Sequence, residues 1–266
     1  MYRFLLSRQW VILTLVVLAL IPTMIELGFW QLHRHERRVE LNREIADSLA
    51  ADPVPVESMT SPGAKVDDEH RYRRVTAKGH FDRADEVVVR RRTNADDRVG
   101  YHVLTPFVLD DGKVLIVNRG WIPSNGASQT AFPKIPAPPE GEITVTGRLM
   151  PDQTTEGSGI KNVEGLPDRQ VMLINSGQQA ERLGEPVLGG YVELTDPEPA
   201  GDTPERIPEP DHDGIGNHMA YAVQWWLFTA GVPVGWFILA RREARDRASQ
   251  DEQDEQETTE AEPAAV

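Results

Sequence analysis

The residues best suited to chemistry lie near the end of the chain, where a polar loop runs into an apolar segment. His218 opens this segment, and Tyr221, Trp225 and Thr229 follow it at helical spacing. At about 100° per residue these side chains share one face of a helix, so an imidazole and two aromatic rings line its entrance. An ionisable residue at the mouth of a membrane helix is a functional candidate. The alternative is that His218 only anchors the helix at the level of the lipid headgroups.

No catalytic constellation is evident elsewhere. None of the seven histidines has the spacing of a helical metal site, and no Gly-rich phosphate loop or Gly-x-Ser-x-Gly elbow occurs. His80 and His102 are interpreted as strand residues that face solvent or are satisfied locally. The absence of cysteine excludes disulfides, thiolate metal sites, iron–sulfur clusters and Cys-x-x-Cys-His haem attachment. The sequence therefore identifies no catalytic constellation, and a Ser-His-Asp triad without that elbow stays open.

Two apolar stretches predict transmembrane helices over residues 10–30 and 217–240. From Met219 to Ala240 only Gln224 and Thr229 are clearly polar, and the stretch spans about 33 Å, enough to cross a bilayer core. Asn217 precedes it as a candidate N-cap. The first stretch follows basic residues as a signal peptide does, but it is long and no small-residue cleavage site follows it. An uncleaved helix is therefore favoured.

Flanking charge predicts that residues 1–9 and 241–266 are cytoplasmic and that residues 31–216 are extracytoplasmic. Arginines follow the second stretch and acids precede it, which places the C-terminus inside. A cluster of arginines beyond the first stretch opposes this orientation, but it alternates with acids that fit i,i+4 pairs on a continuing helix. The arginines are Arg34, Arg37, Arg38 and Arg43, and the acids are Glu36, Glu40 and Glu44. From Ala248 the chain carries seven acids and no base, which predicts a disordered cytoplasmic tail.

The region between the two stretches reads as one β-rich domain. A polar helical stem over residues 33–50 leads into strand-like runs that are separated by turn residues, and residues 196–214 form a linker. The runs cover residues 72–81, 86–92, 101–109, 113–121, 143–149 and 188–194, and a short helix covers residues 176–183. Mostly antiparallel strands predict a small barrel or a sandwich. The expected fold class is an α+β membrane protein in which two transmembrane helices bracket this extracytoplasmic domain.

Two further features have alternative interpretations. In the segment Asn118–Pro123, Trp121 either covers the core at a strand end that turns at Gly120, or forms a docking surface with the adjacent Arg119. Glu26, near the outer end of the first stretch, either reaches the interface or pairs with the second span or with a partner protein. Pairing is favoured.

Six segments, taken in order, resemble the signatures of the surfeit locus protein one family, assembly factors of haem–copper cytochrome c oxidase. The segments are Gly28–Arg34, Gly79–Asp82, Gly100–Pro106, Asn118–Pro123, Pro138–Leu149 and Asn217–Trp225. The last resembles the family's Asn-His-x-x-Tyr-Ala-x-Gln-Trp motif. The family's layout, two membrane helices around an external β-rich domain, agrees with the layout predicted above.

The resemblance implies a non-enzymatic role in maturing oxidase subunit one, by holding or handing over haem a. It implies His218 as the ligand to haem iron, with Tyr221 and Trp225 as walls for the macrocycle. Structural or partner-contact roles are implied for Gly28, Trp30, Gln31, Arg34, Arg119, Gly120, Trp121, Pro123, Asn217 and Gln224. The expected partners are oxidase subunit one, the machinery of haem a synthesis and the plasma membrane of a bacterium, with no nucleic acid. Competing interpretations are a structural accessory subunit of a respiratory complex and a membrane-anchored sensor or hydrolase.

Overall fold

The structure, a computed structural model, describes residues 3–124, 131–163, 165–199, 201 and 204–261. The chain separates into two compact units. The helical unit comprises Met1–Asn42 and Asp213–Val266, and the barrel unit comprises Arg43–His212. In sequence, the barrel unit is therefore an insertion between the two halves of the helical unit.

Two long helices dominate the helical unit, as predicted. Helix α1 (Arg8–Ala50) follows a 3-10 turn (Arg3–Leu6) and runs through both the first apolar stretch and the predicted polar stem. Helix α4 (His218–Ala261) contains the second apolar stretch. Both are long and apolar enough to cross a membrane, and most of their apolar side chains face outward, among them Leu15, Leu18 and Leu227. Exposed leucines on both helices are suited to lipid rather than to water. Where the membrane begins and ends along them stays a prediction.

The expected disorder from Ala248 is wrong for the described residues, because α4 continues as a helix through Ala261. The reason lies in local propensity. This stretch is rich in Glu and Gln, which favour helix, and contains no Gly or Pro before Pro263. Just before this stretch, Arg247 Nε lies 2.9 Å from Glu243 Oε1, an i,i+4 pair on the same helix. Residues 262–266 of the predicted tail lie outside the described residues.

The barrel unit contains a closed five-stranded barrel, which decides between the two predicted architectures. Its strands are β2 (Arg74–Phe81), β4 (Val99–Leu109), β5 (Val114–Pro123), β6 (Ile143–Met150) and β8 (Tyr191–Asp196). They pair in the order β2–β6–β8–β5–β4, and β4 closes the ring by pairing with β2. The β5–β8 pairing is parallel and the others are antiparallel. Closure leaves these strands without a free edge.

Shorter elements complete the unit. Strand β3 (Val87–Thr93) pairs antiparallel with β4. Two strands of two residues each pair in parallel: β1 (Val54–Pro55) with β2, and β7 (Gln170–Val171) with β3. Helix α2 (Thr155–Ser158) is a single turn, and α3 (Ser176–Leu183) ends at Gly184 in the left-handed conformation, as predicted. The sequence analysis missed β1, β7 and α2 because two to four residues are too few to show a period.

Alternating inward side chains fill the barrel. Val75, Phe107, Leu115 and Leu149 belong to one buried cluster. A second cluster joins β3 and β5 to helix α3. A hairpin turn joins β4 to β5, and Gly112 adopts the positive φ of 82° that the turn requires.

Candidate functional site

The two long helices pack antiparallel, as three contacts in the helical unit show. Along α4, Trp236 Nε1 donates to Thr14 Oγ1 at 3.1 Å, Trp226 lies against Gly28, and His218 contacts Gln31. Positions rise along α1 while they fall along α4. The contact at Gly28 is tight, because a Cβ built there would lie 2.2 Å from the indole Nε1 of Trp226. Gly28 is therefore the position where the indole fits against the helix.

The contact at the end of this interface joins two residues that lie 187 positions apart in the sequence. His218 Nδ1 lies 3.0 Å from Gln31 Oε1. An amide oxygen only accepts hydrogen bonds, so Nδ1 carries the proton and donates. In the neutral ring, Nε2 is then left with its lone pair. A hydrogen bond from the other ring nitrogen to a carbonyl is the usual way that proteins orient a metal-binding histidine.

His218 lines a cavity of about 650 Å³ in the helical unit. Its walls combine an indole, aliphatic side chains and three arginines; they are formed by Trp30, Arg34, Arg37, Arg38, Leu41, Gly214, Ile215, Gly216 and His218. This volume falls in the range of about 300–1,000 Å³ that small-molecule and cofactor sites occupy. The cavity is therefore large enough for an amphiphilic ligand with an apolar body and negative groups.

A short loop before α4 forms one side of the cavity. Arg38 Nε and Asn42 Nδ2 both donate to the carbonyl of Gly214, at 3.0 and 3.2 Å. Gly216 has a positive φ of 65°, and a Cβ there would lie 3.5 Å from His218 Nε2. The glycine thus leaves the approach to Nε2 open. Asn217 precedes the first turn of α4, and its carbonyl accepts from Tyr221 N at 3.1 Å.

The aromatic wall differs from the one expected. Tyr221 is 48% exposed, and neither it nor Trp225 is among the residues that line the cavity. Trp225 instead meets Phe228 edge-on, with ring centroids 6.3 Å apart. The face of α4 that packs on α1 is centred on Ala222, which is fully buried, so Tyr221 is turned away from it. Trp30 of α1 supplies the indole in the cavity, a role that the sequence analysis had given to Trp225.

The arginines of α1 are not paired in the way the sequence analysis expected. The acids Glu36, Glu40 and Glu44 are spaced by four residues, so i,i+4 spacing places like charges together. In the described part of the chain, the ion pair of this stretch is Arg43–Asp47 at 3.8 Å. Arg34 instead lies over the Trp30 ring, 5.5 Å from its centroid. Apart from Arg43 and Asp47, the arginines and acids of this stretch are therefore not matched to each other at i,i+4 spacing.

Glu26 also departs from expectation. Its side chain is exposed, and it forms no ion pair among the described residues. The favoured pairing with the second span is therefore wrong within the chain. Gln224 is likewise exposed on α4.

The segment Asn118–Pro123 is structural. Arg119 Nη1 lies 2.6 Å from Glu86 Oε1 in a buried ion pair, and Thr105 Oγ1 donates to the same oxygen. Trp121 is also buried, and its Nε1 donates to the carbonyl of Arg92 at 2.9 Å. A docking surface made of Arg119 and Trp121 is therefore excluded, because neither side chain reaches the surface.

Gly120 and Pro123 fit the same structural interpretation. Gly120 has φ 127°, and a Cβ there would lie 2.4 Å from the carbonyl of Glu205, which pairs with Trp121. Pro123 ends β5, as expected. The segment is therefore part of the barrel wall, and its Trp121 pairs with Glu205 in the chain that follows the last barrel strand.

Two polar groups of the barrel unit, His102 and Glu193, have partners within the unit. Asn118 Nδ2 donates to His102 Nδ1 at 3.3 Å, and burial lowers the pKa of His102 to about 3. Arg148 Nη2 lies 3.1 Å from Glu193 Oε2, and burial raises the pKa of Glu193. Among the described residues, no three His, Asp or Glu side chains are grouped to hold a metal ion. The candidate site is therefore the cavity at His218.

Sequence reasoning selected Gln31, Trp30, Arg34 and His218, but it did not bring them together. It missed Arg37, Arg38, Leu41 and the loop 214–216 as parts of a site. One signal was available, since arginines at i, i+3 and i+4 share a helix face. The register between α1 and α4 was not available, because both apolar stretches lack a polar pattern that would fix it.

Comparison with known proteins gives consistent matches over most of the chain. A profile described as the SURF1 family matches residues 18–230. A SURF1-like protein of Mycobacterium tuberculosis is 31% identical over 246 residues, which cover 92% of this chain and 88% of that relative. Surfeit locus protein 1 of Xenopus tropicalis is 29% identical, with coverage of 83% and 73%, and that of Homo sapiens is 25% identical, with coverage of 86% and 76%.

Proposed function

Since this chain belongs to the SURF1 family, we propose that it assists the assembly of cytochrome c oxidase by holding haem a for insertion into subunit one. The family consists of oxidase assembly factors, and this supports the assembly role. The machinery of haem a synthesis would supply the haem, and subunit one would receive it. In this role the chain is a carrier and not an enzyme.

The observation that carries the haem assignment is the state of His218. Its Nδ1 is engaged by Gln31 at 3.0 Å, so Nε2 is the nitrogen left to bind iron. A neutral imidazole nitrogen is a common axial ligand to haem iron. Gly216 leaves space beside Nε2, and His218 lines the cavity. The donor set therefore fits a haem with one protein ligand.

The cavity walls suit the rest of such a ligand. Trp30, Leu41 and Ile215 offer apolar surface to a macrocycle, and the arginines offer charge to its acidic substituents. A bound haem a supplies the redox chemistry of the oxidase that receives it. The residues of this chain bind it, orient it and limit its contact with water.

The test is the replacement of His218. In detergent-purified protein from cells that make haem a, His218→Ala should lose most of its haem, measured by the pyridine haemochrome assay per amount of protein. The helix pair should survive, because Gly28, Trp226 and Ala222 hold it independently. His218→Met should restore part of the haem with an altered spectrum, because a thioether also binds haem iron.

A matched control is His212→Ala. This histidine lies in the barrel unit and does not line the cavity. It should keep the wild-type haem content. If His218→Ala also keeps the wild-type haem content and supports oxidase assembly, the ligand assignment is wrong.

A further inference from the structure

We infer that Arg34, Arg37 and Arg38 form a carboxylate-binding site that recognises the propionate groups of the haem bound at His218. This inference rests on the proposed function, because it concerns the same cavity. It specifies which part of the ligand the three arginines recognise, namely the paired carboxylates at one edge of an apolar macrocycle.

The three arginines occupy one face of α1 and line one cavity. Their spacing of i, i+3 and i+4 places them side by side over a single turn. All three line the cavity that His218 also lines. A ligand held by its iron at the imidazole would therefore meet three guanidinium groups on the α1 side.

Their charge is not neutralised by the described part of the chain. No ion pair joins Arg34, Arg37 or Arg38 to a carboxylate there; the ion pair of α1 is the one between Arg43 and Asp47. Arginine clusters at a ligand cavity that lack internal partners are suited to an external anion. Their own contacts are limited. Arg34 lies on Trp30, Arg37 Nε is 3.4 Å from the carbonyl of His33, and Arg38 Nε binds the carbonyl of Gly214.

These contacts leave suitable donors for a carboxylate. A guanidinium has five N–H donors in a planar fork, which matches the two oxygens of a carboxylate. Arg38 uses Nε on Gly214, which leaves its terminal nitrogens. The stacking of Arg34 on Trp30 also fixes the plane of its guanidinium and so lowers the entropic cost of binding.

The ligand must also be largely apolar. Trp30, Leu41 and Ile215 line the same cavity and offer nothing to a small free anion such as phosphate. A haem combines an apolar body, an iron atom and carboxylates at one edge. The phosphate of an anionic lipid would also bind guanidinium groups, but it would leave Nε2 of His218 without a partner.

The experiment compares haem a with its dimethyl ester, in which both carboxylates are blocked. The full chain is purified from cells that make no haem a, placed in nanodiscs of neutral phospholipid, and titrated with each compound while absorbance is recorded. Wild type should bind haem a at least about tenfold more tightly than the ester, because hydrogen bonds to charged groups contribute about 1.5–3 kcal/mol each. The variant R34Q/R37Q should lose most of this preference, because only Arg38 is left to bind the carboxylates.

Two controls distinguish the loss of carboxylate contacts from a general disturbance of the fold. Arg43→Gln changes an arginine of α1 that pairs with Asp47 and does not line the cavity, so it should keep the preference for haem a. Arg38 is left unchanged, because it also holds the loop at Gly214. The ligation spectrum of R34Q/R37Q should match wild type, since His218 is intact.

The outcomes distinguish this inference from the proposed function. Equal affinity of wild type for haem a and its ester, with normal ligation spectra, would overturn the carboxylate site and leave the haem role standing. If neither compound binds, the haem role itself fails. If phosphatidylglycerol co-purifies from bacterial membranes with wild type but not with R34Q/R37Q, and the ester preference is absent, the arginines bind lipid headgroups and the inference is wrong.

Discussion

The contact between Gln31 and His218 assigns a role to Gln31, whose amide neither titrates nor binds the iron. Its carbonyl fixes the ring orientation and the tautomer of the imidazole, so Gln31 is a positioning residue. We expect Gln31→Leu to weaken haem binding by about tenfold to a hundredfold, as loss of such a partner does at other metal sites. Gln31→Glu should restore binding and lower the reduction potential of the bound haem, because a carboxylate makes the imidazole a stronger donor. Haem titration and potentiometry measure the two effects.

Gln224→Leu is the matched control for this prediction. This glutamine belongs to the same sequence motif as His218 but is exposed on α4 and does not line the cavity. Its removal should leave affinity and potential unchanged. A Gln31→Leu variant with wild-type affinity and potential would show that the hydrogen bond is structural only.

His102 in the barrel predicts a pH effect on stability. Its pKa in the folded chain is about 3, below its ordinary value of 6.5, because burial disfavours the imidazolium. As the pH falls from 6.5 towards 3, the unfolded chain binds a proton that the folded chain does not, so stability decreases through this window. For a half-buried ring we expect a loss on the order of 1 kcal/mol between pH 7 and pH 5. Removal of the ring should abolish that part of the loss.

Guanidinium unfolding of the detergent-solubilised protein at the two pH values tests this prediction. His102→Gln should show a smaller difference between pH 7 and pH 5 than wild type. His80→Gln, which removes an exposed histidine from β2, should behave as wild type. An unchanged pH dependence in His102→Gln would contradict the assignment.

At the scale of elements, the pairing of α1 with α4 depends on Gly28. Any side chain there meets the rigid indole of Trp226, with a Cβ 2.2 Å from Nε1 and 2.6 Å from Cδ1. We expect Gly28→Val to destabilise the helix pair by about 1–3 kcal/mol, the usual cost of overpacking. Because His218 reaches Gln31 only when the helices are paired, haem content should fall as well. Thermal unfolding in detergent and the haemochrome assay measure both.

A second substitution tests whether the clash is the cause. The double variant G28V/W226A should recover part of the stability that Gly28→Val loses, because the indole is removed. The control Gly231→Val changes a glycine of α4 that has open space around it and should cost little. Equal stability of Gly28→Val and wild type would show that the indole moves aside freely.

The elements were largely predictable and their contacts were not. Strands β2 to β6 and helix α3 were found from alternation and turn residues, since each is long enough to show its period. The end of α4 was misjudged because acidic composition was taken as disorder, whereas its residues favour helix. The site required the register between two helices that carry no polar pattern. Only the motif residues Gln31 and His218 pointed to it, and they lie on different helices.

At the scale of the whole molecule, the antiparallel pairing of α1 and α4 predicts the topology. If both helices span the membrane, the N-terminus and the residues after Ala240 lie on the same side. The arginines that follow Ala240 identify that side as the cytoplasm. We expect a reporter fused after Ala248 to be active only in the form that works in the cytoplasm. A fusion within the barrel unit, at the turn Asp110–Gly112, should be active only in the exported form.

The two fusions serve as controls for each other. At equal protein levels, the fusion after Ala248 should show no activity with the exported reporter, and the fusion in the barrel unit should show none with the cytoplasmic reporter. An exported reporter that works after Ala248 would invert the orientation and place the cavity of His218 on the cytoplasmic side.

The insertion of the barrel between the helices has a consequence for the order of events during synthesis. Gln31 and His218 lie 187 positions apart, with the barrel between them. At about 5–20 residues per second, the ribosome delivers His218 roughly ten to forty seconds after Gln31. A chain that stops between residues 197 and 217 has the complete first helix and all the barrel strands but lacks His218. Under the proposed function, a chain that ends before α4 does not bind haem, so haem binding can only follow synthesis of the barrel.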